Sequence, residues 1–214
     1  MKTLRSFFVL VMSFIVLGSI AWAVEEAAAP AVPAVAPEAS KPMAMDPAMM
    51  EKIKALAAPG EQHAVFEPLI GRWNYSGKFW MAPDAEPQET KGKSLNTIVE
   101  GKRFLKQEVE GPWMGETFHG TGYIGYDNIK QEYVSVWIDN MSTGMMSSSG
   151  QYDSATQTLS LSGTASCPMT GEKDRPMRSA WTITDKDHST YVSYMKGPDS
   201  QEFKAMELNY TRVK

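Results

Sequence analysis

Cysteine is almost missing from this chain: Cys167 is the only one in 214 residues, so no internal disulfide can fasten the fold and packing alone must hold it. Histidine is nearly as scarce. His63, His119 and His188 lie far apart without ligand-like spacing, which argues against a zinc site built on His and Cys; no metal is expected. There is no excess of positive charge either, with 21 Lys and Arg against 25 Asp and Glu. That balance argues against nucleic acid or an anionic membrane as partner. The chain lacks a G-x-S-x-G, an H-E-x-x-H and a P-loop. Gly120-Thr121-Gly122-Tyr123-Ile124-Gly125 does match G-x-G-x-x-G, but Tyr126-Asp127-Asn128 follows as a turn, where a dinucleotide site needs the start of a helix. No cofactor is expected, and the glycines read as the bend of a barrel strand.

What is present begins with a secretory signal. Lys2 and Arg5 precede an apolar run from Phe7 to Ile20, and Ala21-Trp22-Ala23 supplies a small-x-small cleavage pattern. Residues 1–23 are therefore expected to be removed after Ala23, leaving no membrane anchor and a periplasmic or secreted protein. The mature chain then carries 19 basic against 25 acidic side chains. Residues 24–43, rich in Ala and Pro, read as a disordered linker. A domain over residues 44–214 follows. It opens with a helix capped by Asp46-Pro47, whose apolar spacing suits one buried face, and a second short helix from about Glu61 to Leu69.

Beyond Gly71 the apolar spacing changes to alternation, with turn residues every ten or so positions. Strands are predicted near 72–82, 90–100, 103–110, 115–126, 131–139, 145–152, 157–165, 176–184, 188–196 and 201–213. Short sequential turns favour an all-β fold, a single antiparallel up-and-down barrel of about ten strands with one or two short N-terminal helices. Trp73 on the first strand and Arg212 on the last are expected to stack and close one end. If Trp73 points inward, Tyr75 and Phe79 follow it. On the fifth strand Trp137 and Asp139 share a mixed aromatic and polar face with Tyr133, while Val134, Val136 and Ile138 are expected to pack against neighbouring structure. The predicted pocket is lined by Tyr75, Phe79, Phe104, Tyr123, Trp137, Asp139 and Met146.

These residues resemble a bacterial family known as domain of unknown function 1579. The resemblance rests on Leu69-Ile70-Gly71-Arg72-Trp73, Lys78-Phe79-Trp80-Met81-Ala82-Pro83, Gly101-Lys102-Arg103-Phe104-Leu105, Gly125-Tyr126-Asp127-Asn128, Trp137 to Gly144 and Pro168-Met169-Thr170-Gly171. It implies a calycin-like barrel, related in shape to lipocalins, fatty-acid-binding proteins and nitrobindins, and no assigned activity.

Three features admit more than one chemistry. His119 is either a surface histidine or, in a nitrobindin-like protein, an iron ligand. Met141, Met145 and Met146 either line a pocket or core or offer thioethers to Cu(I). Asp139 either bonds a ligand, pairs with Arg103 or Tyr123, caps its turn, or serves as general base. The favoured reading is an exported barrel that binds a small apolar or amphipathic molecule in its lumen. The alternatives are an enzyme acting on a small lipid-like substrate there, with no catalytic residue assigned, and a filled barrel serving as a structural or interaction module. Oligomeric state is left open.

Overall fold

In the computed structural model the described residues are 46–167, 171–197 and 200–214. The expected signal peptide, the whole Ala/Pro linker over 24–43 and its boundary with the domain fall outside them. Helix α1 (Pro47–Ala57) starts where Asp46 accepts a hydrogen bond from the Ala48 amide at 3.0 Å. None of its residues is buried, which corrects the expectation of a buried face. Met49 is 52% and Ile53 44% exposed. Side chains from barrel turns hold the helix instead: Asn128 Nδ2 donates to the Leu56 and Ala58 carbonyls and Arg103 Nε to Ala57, all at 2.8 Å.

A 3-10 helix (Glu61–Leu69) follows, and then ten strands: β1 (Gly71–Phe79), β2 (Gln88–Val99), β3 (Phe104–Trp113), β4 (Glu116–Asp127), β5 (Glu132–Asp139), β6 (Met146–Asp153), β7 (Thr158–Ala165), β8 (Arg175–Ile183), β9 (His188–Lys196) and β10 (Glu202–Arg212). Each pairs antiparallel with its sequence neighbour, and β1 pairs with β10, so the sheet closes into an up-and-down barrel. Alternation alone predicts this architecture, because a period of two makes one face of every strand apolar.

The 3-10 helix plugs one end. Phe66 (0% exposed) and Leu69 (1%) pack with Leu105, Ile124, Tyr133, Leu159, Trp181 and Ile183. Each such burial contributes roughly 1.5–3 kcal/mol relative to exposure. The Leu69 carbonyl, which the helix leaves without an internal partner, accepts from Trp73 Nε1 at 2.9 Å and Asn96 Nδ2 at 2.8 Å. Above Trp73, the Arg212 guanidinium carbon stands 4.1 Å from the ring centre. Its nitrogens reach the Pro68 and Ile70 carbonyls, which ties the last strand to the segment entering the first.

Candidate functional site

Register decides which side chains face the lumen. From Trp73 the pairing runs through Ser94, Val109, Gly120 and Asp139 in one direction and through Arg212 in the other. On this count Tyr75, Phe79, Trp137, Asp139 and Met146 point inward. Phe104 and Tyr123 do not. Phe104 pairs with Gly125, and Tyr123 pairs with Lys106 and Val136, on the outer face opposite Leu105 and Ile124. Phe104 covers Gly125 from outside, where an added Cβ would meet its ring at 2.4 Å, and Tyr123 is 38% exposed. Both placements follow from tight hairpins: the Tyr126–Tyr133 pair fixes Gly122 opposite Trp137 and turns Tyr123 outward.

Val134, Val136 and Ile138 likewise lie on the outer wall, with Val136 41% and Ile138 45% exposed. The expected packing against neighbouring structure is thus not found for Val136 and Ile138. His119 also faces outward, 4.0 Å from Glu110, so it presents no nitrogen to the lumen. Met141 (43% exposed) and Met145 (72%) sit in the loop before β6, apart from the inward Met146.

Trp137 is seated by two glycines. A Cβ on Gly120 would fall 2.1 Å from its Cζ2, and one on Gly122 2.8 Å from its Cε3, so the indole lies flat on the inner wall of β4. The G-x-G spacing therefore seats an aromatic ring. Phe118 runs parallel to the indole, with ring centres 6.4 Å apart. Asp139 Oδ2 accepts from Trp137 Nε1 at 2.9 Å, and Oδ1 from the Met141 amide at 3.0 Å. The carboxylate thus caps its turn and orients the indole; Arg103, the partner considered for it, is bonded to Ala57 and Glu100.

The barrel interior is uneven. Against β1 and β10 it is filled by Trp73, Tyr75, Val109, Leu208 and Tyr210, all buried. Against β5 to β9 large inward side chains such as Tyr133, Trp137, Leu161, Trp181 and Tyr191 alternate with small or flexible ones: Ser135, Ser148, Gly150 and Gly163, then Met177 and Met195 toward the mouth. These last six are half-buried. The Ser135 and Ser148 hydroxyls bond each other at 2.7 Å. Ser135 shares the mixed face of β5 with Tyr133, Trp137 and Asp139, as its parity requires.

Among the described residues, no strand charge points into the middle of the barrel. The inward charged residues of the strands are Glu116, Asp139, Arg175 and Arg212, and each is the first or last residue of its strand. The tyrosines within are held neutral. Burial pushes Tyr133 up to about 12, helped by Tyr126 and Tyr152, and raises Tyr75, Tyr191 and Tyr210 as well. Two surface concavities, of about 550 and 750 Å³, carry their charged lining (Lys93, Glu108 and Glu110 in one, Lys78, Glu89 and Lys204 in the other) on the outer wall. The lumen is the better candidate because its walls are apolar with a few placed hydroxyls.

Among solved structures the fold is similar to the crystal structure of Rv2717c from M. tuberculosis, at 18% identity over 73% of this chain and 100% of that one, with a TM-score of 0.56. A redesigned β-barrel aligns at 12% identity over the same shares, 73% and 100%, with a TM-score of 0.38. No curated protein matches the sequence. Residues 58–212 match the model of the family described as protein of unknown function DUF1579, and the chain belongs to that family.

Proposed function

We propose that this protein is exported and binds a small apolar or amphipathic molecule in the lumen of a calycin-like barrel. The reading rests on one contrast. The inward residues Leu105, Ile124, Tyr133 and Ile183 that pack with the plug are 0–8% exposed, whereas the inward Ser135, Ser148, Gly163 and Met177 are half-buried. A ligand lying there would touch Trp137 and Met146 on one side and Met177 and Met195 on the other. Of the residues expected to line a pocket, Trp137, Asp139 and Met146 face this side of the lumen, while Tyr75 and Phe79 are buried on the side of β1.

Titration with aromatic probes should shift Trp137 emission, and the shift should vanish in Trp137→Phe. Asp139→Asn should weaken the orientation of the indole and reduce the shift. Ser148→Leu fills the space with a side chain and should abolish binding while the protein stays folded. Wild-type affinity in that variant would place the ligand outside the lumen. Export is tested separately: the amino terminus of the mature protein should be Val24, recovered from the periplasm or medium, with residues 24–43 removable by limited proteolysis without loss of melting temperature.

A further inference from the structure

We infer that the lumen takes a molecule without charge, carrying one neutral oxygen function such as an alcohol or ester that enters first. This deepens the lumen-binding proposal and depends on it. A carboxylate brought into an apolar interior needs a cation or several donors to offset its lost hydration. The strands supply none: every strand lysine, at 78, 91, 93, 106, 196 and 204, projects from the outer wall. The two inward arginines are at strand ends and already engaged. Arg212 is held by the Pro68 and Ile70 carbonyls at the plugged end, and Arg175 at the mouth by the Lys196 carbonyl and by Glu172 at 3.6 Å. The other two inward charges, Glu116 and Asp139, are anionic and stand at the mouth, where they oppose an entering anion.

The interior does hold hydroxyls. Ser135 and Ser148 share one bond at 2.7 Å, which leaves the pair one donor and three acceptor positions. Deeper still lie the hydroxyls of Ser179 on β8 and Tyr191 on β9, both on the inward face. Nearer the mouth the wall is Trp137, Met146, Met177 and Met195, which suits an alkyl or ring portion lying outward of the oxygen.

The test is displacement of the neutral probe N-phenyl-1-naphthylamine from the whole mature protein by three molecules of equal chain: dodecanol, methyl dodecanoate and dodecanoate, each below its micelle concentration. Dodecanol and the ester should displace it with similar affinity, and dodecanoate should be weaker by roughly tenfold or more. Dodecanoate binding as tightly as the alcohol overturns the inference and leaves lumen binding standing. A probe that does not bind, or binds Ser148→Leu as well as wild type, overturns the lumen reading and this inference with it. In Ser135→Ala/Ser148→Ala, the affinity of dodecanol relative to that of the probe should fall about three- to tenfold. An unchanged relative affinity there removes the hydroxyl pair from the site.

Discussion

Replacing Arg212 with alanine tests the closure of the barrel. The guanidinium stacks 4.1 Å from the Trp73 ring centre, donates to Lys186 at 2.7 Å and Pro68 at 2.6 Å, and lies 3.4 Å from Asp187. Stacking contributes ~0.5–2 kcal/mol. Hydrogen bonds from a charged donor contribute ~1.5–3 kcal/mol each when buried. Here the side chain is 24% exposed and Asp187 28%, so water recovers much of the loss on the Lys186 and Asp187 side. The carbonyl beside the buried indole recovers less. The expected destabilisation is about 2–4 kcal/mol, or roughly 5–15 °C in Tm for a domain of this size. Arg212→Lys keeps a cation over the ring but loses the fork that spans two carbonyls, and should fall between the two. Urea unfolding and calorimetry supply the measurements. An Arg212→Ala protein melting within about 2 °C of wild type refutes the reasoning, since that is under ~1 kcal/mol.

Gly120→Ala should push Trp137 off its seat, because the new Cβ would fall 2.1 Å from Cζ2; a red-shifted emission and a loss of about 1–3 kcal/mol are expected, read by fluorescence and urea unfolding. Asn128→Ala removes both 2.8 Å bonds to the end of α1; hydrogen exchange over residues 47–57 should quicken while the melting of the barrel stays put, since nothing in α1 is buried. Tyr133 holds its proton to about pH 12 in the fold against 10.0 for a free phenol, so its contribution is complete below pH 10 and disappears as pH rises toward 12. Tyr133→Phe, losing the 2.8 Å bond to Gln62, should be less stable near neutrality yet show a shallower alkaline fall, followed by tyrosinate absorbance and circular dichroism.

Much of the barrel was legible because alternation and turn chemistry are local. Every expected strand is present, and Trp73, Tyr75 and Phe79 face inward as their shared parity requires. The errors arose where parity had to cross a hairpin. Parity counted from Trp73 does not reach β3 and β4 without the hairpins between them, where Leu105 and Ile124, not Phe104 and Tyr123, fill the core. Carrying the register from Trp137 through the Asp127–Gln131 turn would have turned Tyr123 outward. The helix α1 misled for another reason: its apolar spacing is sound, but spacing cannot reveal that Asn128 and Arg103 hold it by its terminal carbonyls and leave its flank uncovered.

The pairing of β1 with β10 has a consequence for how the chain reaches this state. Nine of the ten strand pairings join sequence neighbours and can form as soon as their hairpin exists, whereas the tenth joins Trp73 to Arg212. Loop-closure entropy for that long excursion is met once, late, and only after the final strand has been synthesised. Until then β1 and β9 are both bare edges, the arrangement that invites pairing with another molecule. A nascent or truncated chain stopping before Glu202 would therefore be a sticky open sheet, and the arginine at the far end of the last strand acts as a latch that ends this exposure.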